Sequence, residues 1–539
     1  MKEFNRNDFL NLMVYQIYPR SFCDSNGDGI GDIKGVISKL EYLKDLGVNA
    51  VWLCPCYKSP KCDNGYDISD YRAIDQDYGD FDDIKTLISE LHKRDMKLIM
   101  DFVANHTSDK HEWFKEARKS KDSPYHDYYI WADKPLNDWQ CCFSGSAWQY
   151  NGQTDEYYLH SFAIGQPDLN WKNPAVRKEM RAVVDFWIDL GVDGFRCDVL
   201  DFIGKNFDKN LMCGDESMHA YINEIFGREK TKGVFTVGEC QSTEKDIADI
   251  CGEDRGELTT VFQFEHFGVG RGSKWEKREF AFDDVKNILV KWQNFSAKHG
   301  LLYTLFTDNH DQNYYLTRAG NDKGWRYECA TAYAATFYLL KGIPFIYQGQ
   351  EFGSCGSRYE KIEDFGDVES VNYYNEQEIK REYPRYEVIN QINFGGRDNP
   401  RRPVAWSADE SMGYGFGSTA PWLGFNSRAK EINLENDKKS QKSVFGFYKK
   451  LLSFRKNNDA IIYGDFKELL PAENGNSGFF AYERTFNDKR VVVIINFDRE
   501  QKISLPIDKN YKLVLNNYAD YKVFNDYFRP FEVAVYEKI

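Results

Sequence analysis

Arg196 and Asp198 stand two positions apart at the end of a short apolar run, Gly194-Phe195-Arg196-Cys197-Asp198-Val199. A carboxylate held next to a guanidinium stays ionised at neutral pH, and an ionised carboxylate is what a carboxylate nucleophile requires. A structural ion pair explains the same two residues equally well. The remainder of the chain has to decide between a catalytic and a structural role.

Three further strand-like segments end in polar residues of the same kind. They contribute Asp101-Phe102-Val103-Ala104-Asn105-His106, Gly238-Glu239 and Asp308-Asn309-His310-Asp311. If these strands belong to one parallel barrel, their carboxyl ends meet at a single mouth. A purely structural explanation of all four segments together is improbable, so the pattern favours an active site built on carboxylates and two histidines.

The elements that must position these residues are short apolar runs alternating with amphipathic stretches. Eight runs are strand candidates: Val14–Phe22, Ala50–Cys54, Lys97–Val103, Val192–Val199, Phe235–Cys240, Val261–Phe267, Tyr303–Asp308 and Ile343–Tyr347. Helical patterns between them include Ile33–Leu46, Phe81–Arg94, Ala175–Leu190 and Tyr327–Leu340. Continuously apolar strands alternating with helices predict an α/β fold with a parallel sheet, here a (β/α)8 TIM barrel.

Two intervals are too long to be plain barrel loops. Residues 104–174, after the third strand, are predicted to form an inserted subdomain, and residues 351–425 a lobe over the barrel mouth. Beyond residue 460 the helical period stops, and Phe479–Thr485 and Arg490–Asn496 alternate as strands. We therefore expect a barrel over 1–103 and 175–459 and a C-terminal antiparallel β-sandwich domain over 460–539.

Composition narrows the class of protein further. The chain has 539 residues and a net charge of −14, without a basic block, which argues against nucleic acid and anionic membranes as partners. No signal-peptide core or membrane-length apolar run is visible. Twelve cysteines without metal spacing fit a reduced, cytoplasmic enzyme. We expect a monomer that acts on a small oligosaccharide and needs no organic cofactor.

The four strand-end segments resemble the four signatures of the α-amylase superfamily, glycoside hydrolase family 13. Further segments resemble its oligo-1,6-glucosidase, dextran glucosidase and α-glucosidase branch, and the resemblance runs from Tyr15 to the C-terminal domain. They are Asp24–Asp32, Asp63-Asn64-Gly65-Tyr66-Asp67, Gln166-Pro167-Asp168-Leu169-Asn170-Trp171 and Arg397-Asp398-Asn399-Pro400-Arg401.

The resemblance implies a retaining double displacement, in which two carboxyl groups about 5–5.5 Å apart flank the glycosidic bond. It makes Asp198 the nucleophile and Glu239 the acid/base. Asp311 is then expected to bind the secondary hydroxyls of the sugar and to stabilise the distorted transition state. We expect Arg196 to keep the pKa of Asp198 low, and burial and neighbouring carboxylates to raise the pKa of Glu239.

The resemblance also implies a closed pocket that recognises a terminal glucose. In the family, His106 and His310 bind sugar hydroxyls, Tyr66 is the platform under the sugar and Phe162 a second wall. Gln166 and Arg196 are further expected substrate-binding residues. Asp63 and Arg401 correspond to a pair that closes the pocket, which implies exo action. Val199 after the nucleophile tends to accompany α-1,6 cleavage in this branch, whereas alanine or threonine accompanies α-1,4 specificity.

A structural calcium site is implied at the loop that precedes the first long helical stretch. Oxygen-bearing side chains alternate there with small residues, as hard cations require, and a backbone carbonyl is available at Ile30. A solvated Asn-Gly and Asp-Gly turn is the alternative. The predicted ligands are Asp24, Asn26, Asp28, Ile30 and Asp32.

The leading hypothesis is an exo-acting α-glucosidase that hydrolyses terminal α-1,6-linked glucose. The alternatives within enzymes are an α-1,4-glucosidase, a sucrose isomerase or other transglycosylase, and a trehalose-6-phosphate hydrolase, for which Lys323 and Arg326 are candidate phosphate contacts. A non-catalytic, amylase-like binding subunit is the alternative from another class. Three segments depart from the family pattern on the aglycone side: Gln312-Asn313-Tyr314-Tyr315, Cys240-Gln241-Ser242 and Arg402-Pro403-Val404-Ala405-Trp406.

Overall fold

The computed structural model describes residues 5–240, 243–253, 256–471, 476–503, 507–520 and 526–539. Eight parallel strands form its central sheet: β1 (Val14–Ile17), β2 (Ala50–Leu53), β3 (Lys97–Val103), β4 (Gly194–Asp198), β5 (Phe235–Glu239), β6 (Thr260–Phe262), β7 (Thr304–Leu305) and β8 (Ile343–Tyr347). Their order is β6-β5-β4-β3-β2-β1-β8-β7, and Thr304 Oγ1 donates to the Val261 carbonyl across the remaining gap at 3.1 Å. The predicted (β/α)8 barrel is confirmed.

Most residues of the strands are buried and apolar, as a sheet covered on both faces requires, and the charged ones among them stand mainly near the strand ends. At Gly194 the barrel tolerates no side chain, because a Cβ there lies 2.7 Å from the carbonyl oxygen of Phe235. β3 and β4 are in register from Ile99 opposite Gly194 to Val103 opposite Asp198. This register brings the catalytic candidates of both strands to the same end of the barrel.

Helices surround the barrel and build its lobe. Those of six or more residues are Ile33–Ser38, Leu40–Leu46, Phe81–His92, Glu112–Ala117, Pro174–Leu190, Ser217–Phe226, Glu244–Cys251, Phe282–His299, Arg326–Tyr338, Val368–Lys380, Arg385–Gly395, Leu434–Lys439 and Val444–Lys456. Pro19–Phe22, Tyr315–Arg318 and Asp459–Ile462 are single helical turns. Among the described residues, no helix has the length and apolar character needed to cross a membrane.

Four expected elements are divided or differ by more than two residues at one end. The seventh strand, expected over Tyr303–Asp308, consists of Thr304–Leu305 alone. The single helix over Ile33–Leu46 is two helices, because Lys39 leaves helical geometry at φ −106° and ψ 5°. The first strand stops at Ile17, since Pro19 starts a helical turn where its missing N–H costs nothing. The sixth strand ends at Phe262, and a 3₁₀ turn over Glu265–Gly268 follows it.

The long intervals have structures of their own. Residues 104–174 contain a three-stranded antiparallel sheet of Trp131–Ala132, Glu156–Leu159 and Trp148–Asn151. The interval 351–425 contributes the helices Val368–Lys380 and Arg385–Gly395, and Asn372 Nδ2 donates to the Phe143 carbonyl of the insert at 3.0 Å. The insert and the lobe therefore meet across the barrel mouth.

The chain ends in antiparallel strands, as the fold class predicted. A five-stranded sheet has the order Asp465–Glu468, Phe479–Phe486, Lys489–Asn496, Val533–Lys538, Tyr511–Asn516. A two-stranded sheet of Gln501–Lys502 and Tyr527–Phe528 accompanies it. The buried Lys286 Nζ on helix Phe282–His299 donates to the carbonyls of Leu470 (2.9 Å) and Phe479 (3.0 Å), which ties this sheet to the barrel.

Candidate active site

One guanidinium joins three carboxyl groups from three adjacent barrel strands. Arg196 Nη1 lies 2.6 Å from Asp101 Oδ1 and 2.7 Å from Asp198 Oδ1, and its Nη2 contacts Glu239 Oε2. Arg196 itself is 2 % exposed. The residues at the ends of β3, β4 and β5 thus meet at a single buried charge.

The Glu239 carboxyl has the protonation behaviour of a general acid. Burial raises its pKa to about 7, with Arg196 opposing the shift and Asp311 and Asp101 adding to it. A carboxylic acid with a pKa near neutrality can donate its proton and later take one back. This is the direction that the sequence predicted for Glu239.

The prediction that Arg196 keeps the pKa of Asp198 low is wrong. Burial raises the pKa of Asp198 by more than Arg196 lowers it, and the carboxyl groups of Glu239 and Asp101 add to the increase. The physical reason is first that the carboxyl group of Asp198 is buried away from water, and second that the one positive charge of Arg196 is divided among three carboxyl groups. Asp198 and Glu239 therefore form a coupled pair that is suited to share one proton.

Asp311 has the opposite environment. Although burial opposes it, the contacts with His310, Arg401 and Arg397 hold the pKa of Asp311 well below its usual range. His310 Nε2 lies 3.0 Å from Asp311 Oδ2, and Arg401 Nη2 lies 2.7 Å from Asp311 Oδ1. Of the three catalytic candidates, Asp311 is consequently the one whose surroundings favour the anion.

His310 and Tyr66 form a stacked pair at the base of the site. Their rings lie 5.3 Å apart with an interplanar angle of 6°, and the Tyr66 hydroxyl is 2.6 Å from His310 Nε2. Gln16 Nε2 approaches His310 Nδ1 at 2.8 Å from the other side. Burial lowers the pKa of His310, so the ring is neutral at pH 7.

His106 and Gln166 form a side wall. Gln166 Nε2 is 3.1 Å from His106 Nε2 and 3.2 Å from Asp63 Oδ2, which links the third strand end to the motif around Asp63. Phe162 packs on His106 with ring centroids 5.3 Å apart. Burial lowers the pKa of His106 as well.

The structure does not join the predicted pair of Asp63 and Arg401. Arg397, four residues earlier in the same motif, places Nη2 2.9 Å from Asp63 Oδ1. Arg401 instead lies behind Asp311 and donates through Nε to the His310 carbonyl at 2.9 Å. The clamp is therefore an Asp63–Arg397 pair, because the turn closed by the Arg401 N–H and the Asp398 carbonyl at 3.1 Å places Arg401 beside Asp311 and the Tyr18 ring instead.

Val199 has an unusual backbone. Its φ of 34° and ψ of 50° lie in the left-handed region, which is rare for a β-branched residue. Strained residues of this kind persist where the surroundings enforce them and cluster at functional sites. Val199 follows Asp198 in the chain, and both residues line the same cavity.

These side chains surround a cavity of about 250 Å³. Of the predicted substrate residues, Asp63, Tyr66, His106, Phe162 and Val199 line it, together with all three catalytic candidates. Its other lining residues come from the insert, the lobe and the loops: Cys142, Phe143, Phe202, Lys274, Gln312, Glu369 and Arg397.

Only part of this second group of lining residues belongs to a recognisable sequence motif. Arg397 belongs to the motif Arg397-Asp398-Asn399-Pro400-Arg401, whereas Lys274 lies in an irregular segment and Glu369 in the first turn of helix Val368–Lys380, and no motif marks either of them. The candidate phosphate contacts Lys323 and Arg326 are not among the cavity residues, and Arg326 Nη1 donates to the Phe352 carbonyl at 2.9 Å. Of the three departures from the family pattern, Gln241 and Ser242 lie outside the described residues.

The predicted calcium loop is held by its own hydrogen bonds. Asp24 accepts from the backbone N–H groups of Asn26, Gly27 and Gly29, and Asp32 caps helix Ile33–Ser38 through Gly35 N. Within the described ranges, no group of three or more His, Cys, Asp or Glu residues gathers as in a metal site. The oxygen-only donor set still suits a hard cation, since a carboxylate has about four lone-pair positions and can accept N–H groups as well.

Paired carboxyl groups at the carboxyl ends of the strands of a (β/α)8 barrel are the arrangement that a glycoside hydrolase uses, and the comparisons with known proteins place the chain in that class. The sequence model of the α-amylase catalytic domain matches residues 16–464 of the chain. The protein belongs to the α-amylase family.

Three similar proteins agree with this assignment. An oligo-1,6-glucosidase of Bacillus cereus is 43 % identical over 97 % of this chain and 98 % of its own length. The crystal structure of Bacillus licheniformis trehalose-6-phosphate hydrolase has a TM-score of 0.89 at 38 % identity, covering 98 % of this chain and 99 % of the other. An isomaltulose synthase mutant of Erwinia rhapontici NX5 has a TM-score of 0.92 at 34 % identity, covering 98 % of both chains.

Proposed function

We propose that this protein is a retaining, exo-acting α-glucosidase that hydrolyses terminal α-1,6-linked glucose from isomaltose and isomalto-oligosaccharides. The observation that carries the proposal is the cavity of about 250 Å³, which is lined by Asp198 and Glu239 and has the Asp63–Arg397 ion pair in its wall. A cavity below the usual range of about 300–1,000 Å³ suits one hexose rather than a long chain. The resemblance to an oligo-1,6-glucosidase supports the linkage.

The proposed reaction has two displacements. An Asp198 oxygen attacks the anomeric carbon while the Glu239 proton passes to the glycosidic oxygen, so that the bond to the leaving sugar breaks with its electron pair on that oxygen. Glu239, now ionised, removes a proton from water, and the water oxygen displaces Asp198. Two inversions give glucose with retained α configuration.

Electrostatics support this division of work. Asp311 is anionic and hydrogen-bonds the sugar hydroxyls as positive charge develops on the ring. Arg196 stabilises the carboxylate of Asp198 that is released in the second step. Proton sharing between Asp198 and Glu239 leaves one ionised and one protonated carboxyl group near neutral pH.

The residues at the mouth of the cavity would contact the leaving sugar. Val199 supplies a β-branched wall there. Lys274 and Glu369 also line the cavity, so their charged groups can bind hydroxyls of the leaving sugar, and Lys274 Nζ contacts Glu369 Oε2. The Lys274 charge is already balanced by Glu369, which argues against a dedicated phosphate site and thus against trehalose-6-phosphate. An isomerase or transglycosylase would share the first displacement and differ in the acceptor.

Calcium, compartment and assembly form the remainder of the proposal. Asp24, Asn26, Asp28, Asp32 and the Ile30 carbonyl would hold a structural Ca²⁺ remote from the reacting groups. All twelve cysteines lie in the described part of the chain without a disulfide, which supports a reducing, cytoplasmic setting. The net charge of −14 supports a monomer without nucleic-acid or membrane partners.

Product analysis tests the proposal. Isomaltose, maltose, sucrose, trehalose and trehalose-6-phosphate are incubated with the protein and separated by chromatography, and isomaltose is expected to be cleaved fastest, to glucose alone. Asp198→Asn should lower turnover by about 10⁴-fold or more with an unchanged melting curve. Faster cleavage of maltose than of isomaltose would overturn the α-1,6 preference, and rearrangement of sucrose would overturn hydrolysis as the reaction. Appreciable turnover by Asp198→Asn would overturn Asp198 as the nucleophile.

A further inference from the structure

We infer that Asp367, which lies outside the catalytic cavity, is a positioning residue for terminal-glucose recognition and acts through Arg397. The inference rests on the proposed function, because it concerns the pocket that receives the glucose. Asp367 is 1 % exposed and stands at the start of the lobe helix Val368–Lys380. Arg397 is the residue that contacts Asp63 at the cavity wall.

The contact between the two residues is close and double. Asp367 Oδ1 accepts from Arg397 Nε at 2.9 Å and from Arg397 Nη2 at 2.6 Å. The same Nη2 donates to Asp63 Oδ1 at 2.9 Å. One nitrogen therefore connects the buried carboxylate behind the cavity with the carboxylate that faces the sugar.

The remaining contacts of Arg397 do not fix it alone. Its Nη1 lies 3.4 Å from Asp311 Oδ1, its Nε lies 3.3 Å from Glu369 Oε2, and its guanidinium carbon is 4.7 Å from the centre of the Phe143 ring. These contacts are longer than those made to Asp367. A guanidinium presents its N–H groups in a rigid fork, so holding Nε and one Nη sets the direction of the rest.

Asp367 also balances a second arginine. Arg401 Nη1 is buried without a hydrogen bond and lies 3.9 Å from Asp367 Oδ1, while Arg401 Nη2 contacts Asp311. Two guanidinium groups thus approach Asp311 from the lobe, and the Asp367 charge lies next to both. Without that charge their mutual repulsion would push Arg397 away from Asp63.

Helix capping is the competing explanation, and the geometry separates the two roles. Asp367 accepts from the backbone N–H groups of Glu369 at 3.4 Å and Ser370 at 3.3 Å, and its Oδ2 accepts from Ser370 Oγ at 2.9 Å. Asparagine caps a helix about as well as aspartate. Asp367→Asn therefore keeps the cap and removes the charge, and Ser370→Ala removes a cap contact and keeps the charge.

The test measures kcat and KM on isomaltose and p-nitrophenyl α-glucoside, and the inhibition constant of glucose, which occupies the glucose pocket alone. For Asp367→Asn we expect KM for both substrates and the glucose inhibition constant to rise together by about 10-fold, with kcat changed by less than about 3-fold. Ser370→Ala should leave all three quantities within about 2-fold of wild type. Asp367→Ser, which also caps but is uncharged, is the second variant if the asparagine variant is poorly folded.

Each outcome has a distinct meaning. An unchanged KM and glucose inhibition constant in Asp367→Asn or Asp367→Ser, with activity in the wild type, would overturn the role of Asp367 and leave the proposed function standing. A KM increase for one substrate only would also contradict it, because the glucose pocket is common to both. A wild type that cleaves neither substrate would instead refute the proposed function.

Discussion

Arg397 Nη2 lies 2.9 Å from Asp63 Oδ1, and this ion pair crosses the wall of the catalytic cavity. Both side chains are almost entirely buried, at 6 % and 5 % exposure. Water does not screen the attraction within a buried ion pair, and the geometry of the pair and its other hydrogen bonds fix the positions of the two side chains. The pair therefore offers a rigid set of donors and acceptors to the hydroxyl groups of one terminal sugar.

The first prediction concerns this pair. Arg397→Lys keeps the charge but loses the planar fork, and kcat/KM on isomaltose is expected to fall by about 10–100-fold, the equivalent of about 1.4–3 kcal/mol. In a double-mutant cycle with Asp63→Asn, the coupling energy should exceed about 1 kcal/mol. Arg401→Lys is the matched comparison, and its coupling to Asp63 should stay below about 0.5 kcal/mol. The reverse ranking would restore Arg401 as the partner of Asp63.

The second prediction concerns the pH dependence of the acid step. Because the pKa of Glu239 is raised to about 7, the acid is protonated below that pH and ionised above it, and kcat/KM should fall as the pH rises through about 7. Glu239→Gln should lower kcat on isomaltose by about 10²–10⁴-fold. With p-nitrophenyl α-glucoside, whose leaving group needs no proton, the formation of the glycosyl-enzyme should suffer much less. An equal loss in that step for both substrates would contradict the assignment.

The barrel is predictable from sequence to the residue in places, as at β3 and β8, because buried parallel strands have an unbroken apolar signature. The break at Lys39 in a continuous helical pattern could not be predicted, because neither Lys39 nor its two neighbours in the chain is a glycine or a proline. The sequence predicted Arg401 as the partner of Asp63, and this was wrong because Arg397 stands in the same motif and only the path of the chain shows that it reaches Asp63. Lys274, in an irregular segment, and Glu369, in the lobe helix Val368–Lys380, reach the cavity through tertiary packing, which no local sequence pattern encodes.

A third prediction follows from the strained residue after Asp198. Val199→Ala removes two methyl groups from the cavity wall and should shift the ratio of isomaltose to maltose cleavage towards maltose by about 10–200-fold, or about 1–3 kcal/mol. Both substrates are compared by kcat/KM under identical conditions. Val199→Thr keeps the β-branched shape but is a residue that accompanies α-1,4 specificity in the family, so it separates two causes: a wild-type ratio would assign the preference to shape, and a shift towards maltose would assign it to the apolar surface. If alanine leaves the ratio unchanged, the valine wall does not set linkage preference.

The fourth prediction concerns a buried acid beneath the barrel mouth. Glu351 Oε1 accepts from the Tyr15 hydroxyl at 2.8 Å and contacts the Tyr42 hydroxyl. Burial raises the pKa of Glu351 from 4.5 to about 7. A raised acid pKa means that the folded state binds the proton more tightly. The stability that this group contributes is therefore full below pH 4.5 and decreases as the pH rises to about 7.

This shift corresponds to about 3 kcal/mol of stability lost over that range. Glu351→Gln should flatten the decline, so that the melting-temperature difference between pH 5 and pH 8 becomes smaller than in the wild type. The exposed Glu363→Gln is the control for a general charge effect and should keep the wild-type difference. Parallel melting-temperature curves for the wild type and Glu351→Gln would show that Glu351 does not titrate in this interval.

The final prediction concerns calcium at the loop around Asp28. Chelation with EDTA is expected to lower the melting temperature, and added Ca²⁺ to restore it, because a ligand that binds only the folded state stabilises it by mass action. Activity at mild temperature should persist, since Asp24 and Asp32 take no part in the reaction. Asp28→Asn should reduce the calcium-dependent shift, because it removes the charge of one predicted ligand. The loop itself should be little affected, since the Asp28 side chain accepts only two local hydrogen bonds, from Asn26 Nδ2 at 3.0 Å and Ile30 N at 2.8 Å. An identical melting curve with and without Ca²⁺ would show that the hydrogen bonds of the loop suffice to hold it.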